Sequence, residues 1–282
     1  MTAATHGVVP DADPTAWRQH RFGLSRERWE RLAGRIVWVT GAGTGYGQAI
    51  SLALAAAGAT VMLTGRRLHK LEETVAAAAP LGIERSRFVT VPADITDPVQ
   101  VAVAAKAITA RGGVPYGLVN NAALPQCPAG RWPLMDMTAE QWRQQMATNV
   151  TGPWLTTRAV APAMAAAGTA RVLFLSSEAG WAFSAGHGAY NVSKAALNSL
   201  SGCWAAELAA RFPQADVQVN VLNPGEARTE MNQGSTVSPF ALASMALVLL
   251  SHPPGGPNGR YFHRDGRHYG FAHAPAYDRP LI

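Results

Sequence analysis

A chain of 282 residues that is 48% hydrophobic can bury one large α/β core or two smaller ones. Its formal charge of +6 is almost all arginine, because the only lysines are Lys70, Lys106 and Lys194; these charges are scattered and not interleaved with aromatics, which argues against nucleic acid as a partner but leaves room for a phosphorylated cofactor. With two cysteines, no recognisable leader and no apolar run near twenty residues, neither a disulfide framework nor a membrane span is expected, and the cytoplasm is the expected compartment.

Residues 1 to 24 carry Pro10 and Pro14 and show no helical period, as in a flexible or docked arm. Ser25 followed by Glu27, Trp29, Glu30 and Leu32, and closed by Gly34, predicts a short capped helix. Residues 1–33 are therefore read as an N-terminal segment, structural or partner-binding. Arg35 to Thr40 is a β-branched run without alternation, which predicts a strand covered on both faces. It runs into GAGTGYGQAISLALAAAGA, where Gly41, Thr44, Gly45, Tyr46 and Gly47 form the turn into an alanine-rich helix. Strand, glycine turn and helix in that order bring backbone N–H groups up to a pyrophosphate at a helix N-terminus.

The second strand, Val61 to Thr64, ends in Arg66 and Arg67 where an acid would favour the ribose hydroxyls of NAD. Two guanidinium groups there either clamp a 2′-phosphate, which favours NADP(H) over NAD(H), or simply cap the strand in solvent. A helix over 68–79 and a strand from Phe88 to Pro92 lead to Asp94 and Ile95. Asp94 either accepts from an adenine amino group or caps the helix beginning at Thr96 or Asp97. A helix over 99–111 and a strand from Tyr116 end in Asn120, Asn121, Ala122 and Ala123. The following proline-rich loop holds Cys127, which has no basic neighbour in sequence and is read as a wall residue of a substrate site rather than a nucleophile. A long helical region from Thr138 through Ala165 contains Asn149, a poor interior helix residue that marks a kink, a solvated face or a functional group. The alternation of strands and helices predicts a single α/β domain with a Rossmann-like doubly wound parallel sheet, helices on both faces, and a site at the carboxyl ends of the strands.

A strand over 170–176 delivers Ser177 to that same edge, thirteen residues before Tyr190, with Lys194 four residues further on. If Tyr190 opens a helix, Lys194 lies one turn along on the same face, so an ammonium stands beside a phenol and is expected to lower its pKa. A serine hydroxyl reaching that point can hold a carbonyl oxygen while the phenol exchanges a proton with it. Trp181, Phe183 and His187 lie between Ser177 and Tyr190 and are read as further substrate-wall residues, His187 alternatively as a second acid/base. The last pieces are a strand and loop through PGEART, an apolar helix around 240–250 and a closing strand, GRYFHRDG. His263, His268 and His273 fit no usual metal-ligand spacing, and no metal site is expected.

Taken together and in order, TGAGTGYG at 40–47, Asp94 with Ile95, NNAA at 120–123, Ser177 with Tyr190 and Lys194, and PGEART at 224–229 resemble the short-chain dehydrogenase/reductase family over residues 34–268. The resemblance implies that Ser177, Tyr190, Lys194 and Asn149 are the catalytic tetrad, with Asn149 holding a water against the lysine. It also implies cofactor contacts from Asn121, Ala122, Pro224, Gly225, Ala227 and Thr229, and from Tyr190 and Lys194 themselves. The activity implied is reversible hydride transfer between NADP(H) and a small-molecule carbonyl or secondary alcohol. The alternative is an NADP-binding sensor or assembly protein with this fold and no turnover. Family members are usually tetramers or dimers, and the tail at 269–282 is expected to pack on a neighbouring subunit. Tyr46 departs from the family pattern, which has Ile or Leu there, as does Ala227, which replaces Val or Ile. The segment after Met231 is short for the family, and an open cleft is expected.

Overall fold

The computed structural model describes residues 14–125, 133–183 and 185–269. In chain order they form α1 (Pro14–Gln19), α2 (Arg26–Glu30), β1 (Ile36–Thr40), α3 (Gly45–Ala56), β2 (Thr60–Thr64), α4 (Leu68–Ala76), β3 (Phe88–Thr90), α5 (Pro98–Gly112) and β4 (Gly117–Asn120). Then follow α6 (Ala139–Met146), α7 (Gly152–Ala166), β5 (Thr169–Leu175), α8 (Gly188–Arg211), β6 (Asp216–Asn223), α9 (Ala243–Leu250), β7 (Arg260–His263) and β8 (His268–Tyr269). The strands make one sheet in the order β3-β2-β1-β4-β5-β6-β7-β8. Seven strands run parallel, and β8 pairs antiparallel with β7.

Both faces of the sheet are covered, and β1, β2 and β4 accordingly carry unbroken runs of buried residues. Along β1, Val37 and Val39 point into a core with Ile50, Leu54, Leu71 and Leu247, while Trp38 points the other way into a core with Ile108, Met164 and Leu197. The Trp38 indole is fully buried and donates to Thr64 Oγ1 at 2.8 Å, so its polar edge is satisfied. Consecutive strands turn outward in opposite directions from β1 and β4. That switch point opens a crevice at the carboxyl ends of the strands.

Two local features differ from the sequence reading. The arm contains a helix, α1, and from Pro14 onward it is docked: Trp17 is 1% exposed and meets Phe22 and Phe240 edge to face. Six residues are too few to show a period, so only tertiary contact reveals this helix. The expected long helical region after Thr138 is present from Ala139 to Ala166, but it is not α-helical throughout. Thr138 caps α6 with a full capping box, but Ala147–Thr151 widens into a π turn before α7 resumes, and Asn149 sits inside it. Such a turn inserts one residue into the helical register and re-aims the side chains around it.

Candidate active site

The glycine turn between β1 and α3 is held by Asn121. Its Nδ2 donates to Thr40 O at 2.9 Å and to Gly41 O at 3.0 Å, while Thr40 Oγ1 accepts from the N–H groups of Asn121 and Ala122. The Asn121 side chain is thus directed to the turn. Gly47 is the position where the backbones press closest: a Cβ there would stand 2.2 Å from Gly41 O and 2.4 Å from Asn121 Nδ2. No other residue fits, and the close approach keeps the start of α3 open to a ligand.

Along the same edge, a cavity of about 670 Å³ runs from Gly41, Thr44, Gly45 and Tyr46 past Arg66 and Arg67 at the end of β2. Asp94, Ile95 and Ala122 form its next wall, and Pro224, Gly225, Ala227 and Thr229 close it from the loop after β6. Asp94 is not the cap of α5. Asp97 takes that place, accepting from the N–H groups of Val99 and Gln100, while Asp94 Oδ1 accepts from Thr96. Asp94 Oδ2 faces Arg66 at 3.9 Å. Tyr46, the unusual residue of the turn, donates its hydroxyl to Gly225 O at 2.7 Å and so ties the glycine turn to the loop after β6.

The far end of this cavity holds Ser177, Tyr190 and Lys194. Ser177 leaves β5 in extended conformation and caps a single helical turn over Glu178–Gly180. That turn lies directly on α8: a Cβ at Gly180 would meet Lys194 O at 2.9 Å and Asn198 Nδ2 at 2.6 Å. Glycine here lets β5 and α8 close up until Ser177, Tyr190 and Lys194 border one space. Lys194 lies one helical turn beyond Tyr190, its Nζ 5.6 Å from the ring centroid, and donates to Leu175 O at 2.9 Å. The lysine is 3% exposed and has no carboxylate partner among the described residues; burial pushes its pKa down to about 8.

The phenol departs from expectation. Burial raises the Tyr190 pKa above its ordinary value, and the hydrogen bond from Ser177 opposes this only in part. Desolvation penalises the phenolate more than this neighbourhood relieves it, so the unliganded site favours the protonated phenol. Asn149 also behaves differently from the simplest form of the relay. Its Oδ1 accepts from Leu124 N at 2.7 Å, and its Nδ2 donates to Ser193 Oγ at 3.0 Å and Leu124 O at 3.2 Å. The side chain is fully engaged in fixing the loop after β4 to α8 and does not border the cavity.

Of the expected wall residues, His187 borders the cavity, with its Nδ1 buried and without a hydrogen-bond partner among the described residues. Trp181 does not line it; its ring lies edge-on to Tyr261 and Tyr269 at the sheet margin. Phe183 is 92% exposed and also stands outside the cavity. Cys127 lies outside the described residues. The sequence reading missed Tyr261, whose hydroxyl donates to Ser177 O at 2.9 Å from β7, and missed Lys70 and Glu230 at the cavity mouth. No local signal marks Tyr261, because only the pairing of β6 with β7 brings it to Ser177.

Residues 35–238 match the family model for the short chain dehydrogenases. Dehydrogenase/reductase SDR family member 4 of Homo sapiens is 33% identical over 219 residues, covering 77% of this chain and 75% of that protein. A metagenomic short-chain oxidoreductase solved in complex with NADP superposes with a TM-score of 0.69 at 31% identity, over 81% of this chain and 96% of the other. A short-chain type dehydrogenase/reductase from Mycobacterium ulcerans superposes with a TM-score of 0.74 at 29% identity, over 82% and 88%. The match spans the glycine turn, the strand carboxyl ends and the Ser177-to-Lys194 stretch alike, and the chain belongs to the short-chain dehydrogenase/reductase family of oxidoreductases acting on alcohol and carbonyl groups.

Proposed function

We propose that the protein is an NADP(H)-dependent oxidoreductase that interconverts a small-molecule carbonyl and its secondary alcohol, with Tyr190 as proton donor and acceptor. The observation that carries this reading is that Ser177, Tyr190 and Lys194 border the same cavity as the glycine turn and the two arginines after β2.

The residues present fit a dinucleotide. The turn packed around Gly47 leaves N–H groups at the head of α3 for a pyrophosphate. Arg66 and Arg67 stand where a 2′-phosphate would need cations, and the relative solved with NADP supports that choice of cofactor. When bound, the nicotinamide supplies or takes up the hydride. Ser177 then holds the substrate oxygen through its hydroxyl, and the protonated phenol of Tyr190 donates to that oxygen as the carbonyl carbon is reduced. In the reverse direction Tyr190 takes the alcohol proton. Lys194 stabilises the phenolate left after proton donation, and its depressed pKa lets it pass a proton on near neutral pH. The Asn149 side chain is committed to Leu124 and Ser193, so its part is to brace the loop after β4 against α8 beside the reacting groups.

The Tyr190→Phe variant tests the reading. Reduction of a ketone and aldehyde panel should fall by at least about a hundredfold, while NADPH binding, followed by fluorescence, persists. Unchanged turnover removes Tyr190 as the donor, and a wild-type protein that binds NADPH but turns over no substrate favours the sensor alternative. We also infer a cytoplasmic homo-oligomer, dimer or tetramer; exposed Val99 and Val103 on α5 and Trp154 on α7 support helix faces available for it.

A further inference from the structure

Both arginines assigned to the 2′-phosphate are met by carboxylates. Arg66 faces Asp94 at 3.9 Å, and Arg67 Nη2 forms a 2.7 Å ion pair with Glu230 Oε2. Lys70, on α4, stands 3.9 Å from the other oxygen of Glu230 and 2.7 Å from Glu73. Glu230 belongs to another part of the fold. It follows Thr229 on the loop after β6, in a tight turn closed by reciprocal main-chain hydrogen bonds between Thr229 and Asn232 and by Thr229 Oγ1 accepting from Met231 and Asn232. Thr229 in turn lies against the glycine turn: its Cγ2 is 3.0 Å from where a Gly45 Cβ would stand. The side chain of Glu230 therefore reaches across the cavity mouth from the loop after β6 to Arg67 at the end of β2.

The charge at that mouth is balanced before any ligand arrives. Arg66, Arg67 and Lys70 stand against Asp94, Glu230 and Glu73. Arg67 and Glu230 are both about half exposed, so the pair between them is weak and exchangeable. A 2′-phosphate, with close to two negative charges and three acceptor oxygens, outcompetes a single carboxylate for a guanidinium fork. A ribose 2′-hydroxyl does not.

Resting on the reading of Arg67 as part of a 2′-phosphate clamp, we propose that Glu230 is a specificity-determining residue that acts as an internal competitor for that clamp. It occupies Arg67 in the free protein, with Lys70 paired to Glu73 and standing 3.9 Å away, weakens the preference for a 2′-phosphorylated cofactor, and must swing away when one binds. Its neighbours Met231 and Asn232, in the same turn, also border the cavity.

The experiment measures dissociation constants of NADPH and NADH for the full-length wild type, Glu230→Gln and Arg67→Ala, with 2′-AMP and 5′-AMP as probes that need no turnover. Glu230→Gln should raise the NADPH-to-NADH affinity ratio about three- to fivefold, and the 2′-AMP-to-5′-AMP ratio likewise, as expected for release of one exposed ion pair. Arg67→Ala should lower both ratios. If Arg67→Ala lowers them and Glu230→Gln changes neither or lowers them too, competition by Glu230 is refuted and the clamp stands. If Arg67→Ala leaves NADPH affinity unchanged, the clamp itself is wrong and the proposal falls with it.

Discussion

Lys194 is the group whose replacement discriminates most sharply between stability and function. Its ammonium is buried, donates to the Leu175 carbonyl, and has its pKa pushed from 10.5 down to about 8. At about 1.4 kcal/mol per pH unit, that fall corresponds to ~3 kcal/mol lost from stability at pH 7 by keeping the charged lysine buried. The sign follows from proton uptake. Between pH 8 and 10.5 the unfolded chain binds more protons at this lysine than the folded chain, so the penalty is full below 8 and shrinks as pH rises through that window. Lys194→Met removes the charge, keeps most of the volume, and leaves the Leu175 carbonyl without this donor at an offsetting cost of about 1–3 kcal/mol. Urea unfolding of both proteins at pH 7.5 and 9.5 provides the assay, since the buried tyrosines, whose pKa values are raised, ionise above that range. The wild type should gain ~2 kcal/mol on the variant between the two pH values, while the variant loses turnover at both. A stability difference that stays constant with pH would falsify the assignment of a buried, partly neutralised lysine.

Other substitutions separate holding from reacting. Tyr261→Phe removes the donor that fixes Ser177 O; Gly180 N still bonds that carbonyl, so the fold should persist while kcat drops about fivefold with little change in cofactor affinity, as for ~1 kcal/mol of positioning. An unaltered kcat would show that Ser177 needs no such anchor. Asn149→Ala leaves Leu124 N and the buried Ser193 Oγ without this partner, while Leu124 O keeps its bond from Gln145 Nε2; a loss of about 1–2 kcal/mol in urea unfolding is expected, and an unchanged midpoint would refute the bracing role. Gly47→Ala puts a methyl 2.2 Å from Gly41 O, and titration with NADPH should show binding abolished together with a lower melting temperature.

Much of the fold was legible because both faces of the sheet are covered. Strands such as β1 and β5 therefore carry mostly apolar residues with no polar alternation, and the glycines and helices between them announce each crossover. The meeting of Ser177, Tyr190 and Lys194, the proposed catalytic trio, was legible for a related reason: Tyr190 and Lys194 share one helix, so spacing alone sets their face, and β5 must deliver Ser177 to the edge where α8 begins. What spacing could not give was direction. Trp181 follows Ser177 by four residues, yet it turns to Tyr261 and Tyr269, partners supplied by the last two strands. The break at Asn149 was visible as a poor helix former, but its hydrogen bonds to Leu124 and Ser193 depend on how β4 and α8 meet.

Burial is the other quantity a sequence does not carry, and it reverses the electrostatic argument at Tyr190. Spacing places an ammonium near a phenol, and in water that neighbour would lower the phenol's pKa. In the folded protein the same enclosure that brings the two together desolvates both, raising the pKa of Tyr190 and lowering that of Lys194. Each shift disfavours the charged form. The unliganded pair therefore rests nearer a neutral phenol beside an amine that titrates near pH 8 than a phenolate beside a fixed cation. A proton donor is what carbonyl reduction requires, so the resting state suits the reductive direction. Oxidation needs the phenolate, and the free protein supplies for it the Ser177 hydrogen bond and a lysine whose own charge is depleted as pH rises through 8. The oxidative rate of the enzyme should thus show a steeper pH dependence than the reductive rate, and parallel profiles in both directions from pH 6.5 to 9.5 would refute this reading of the pair.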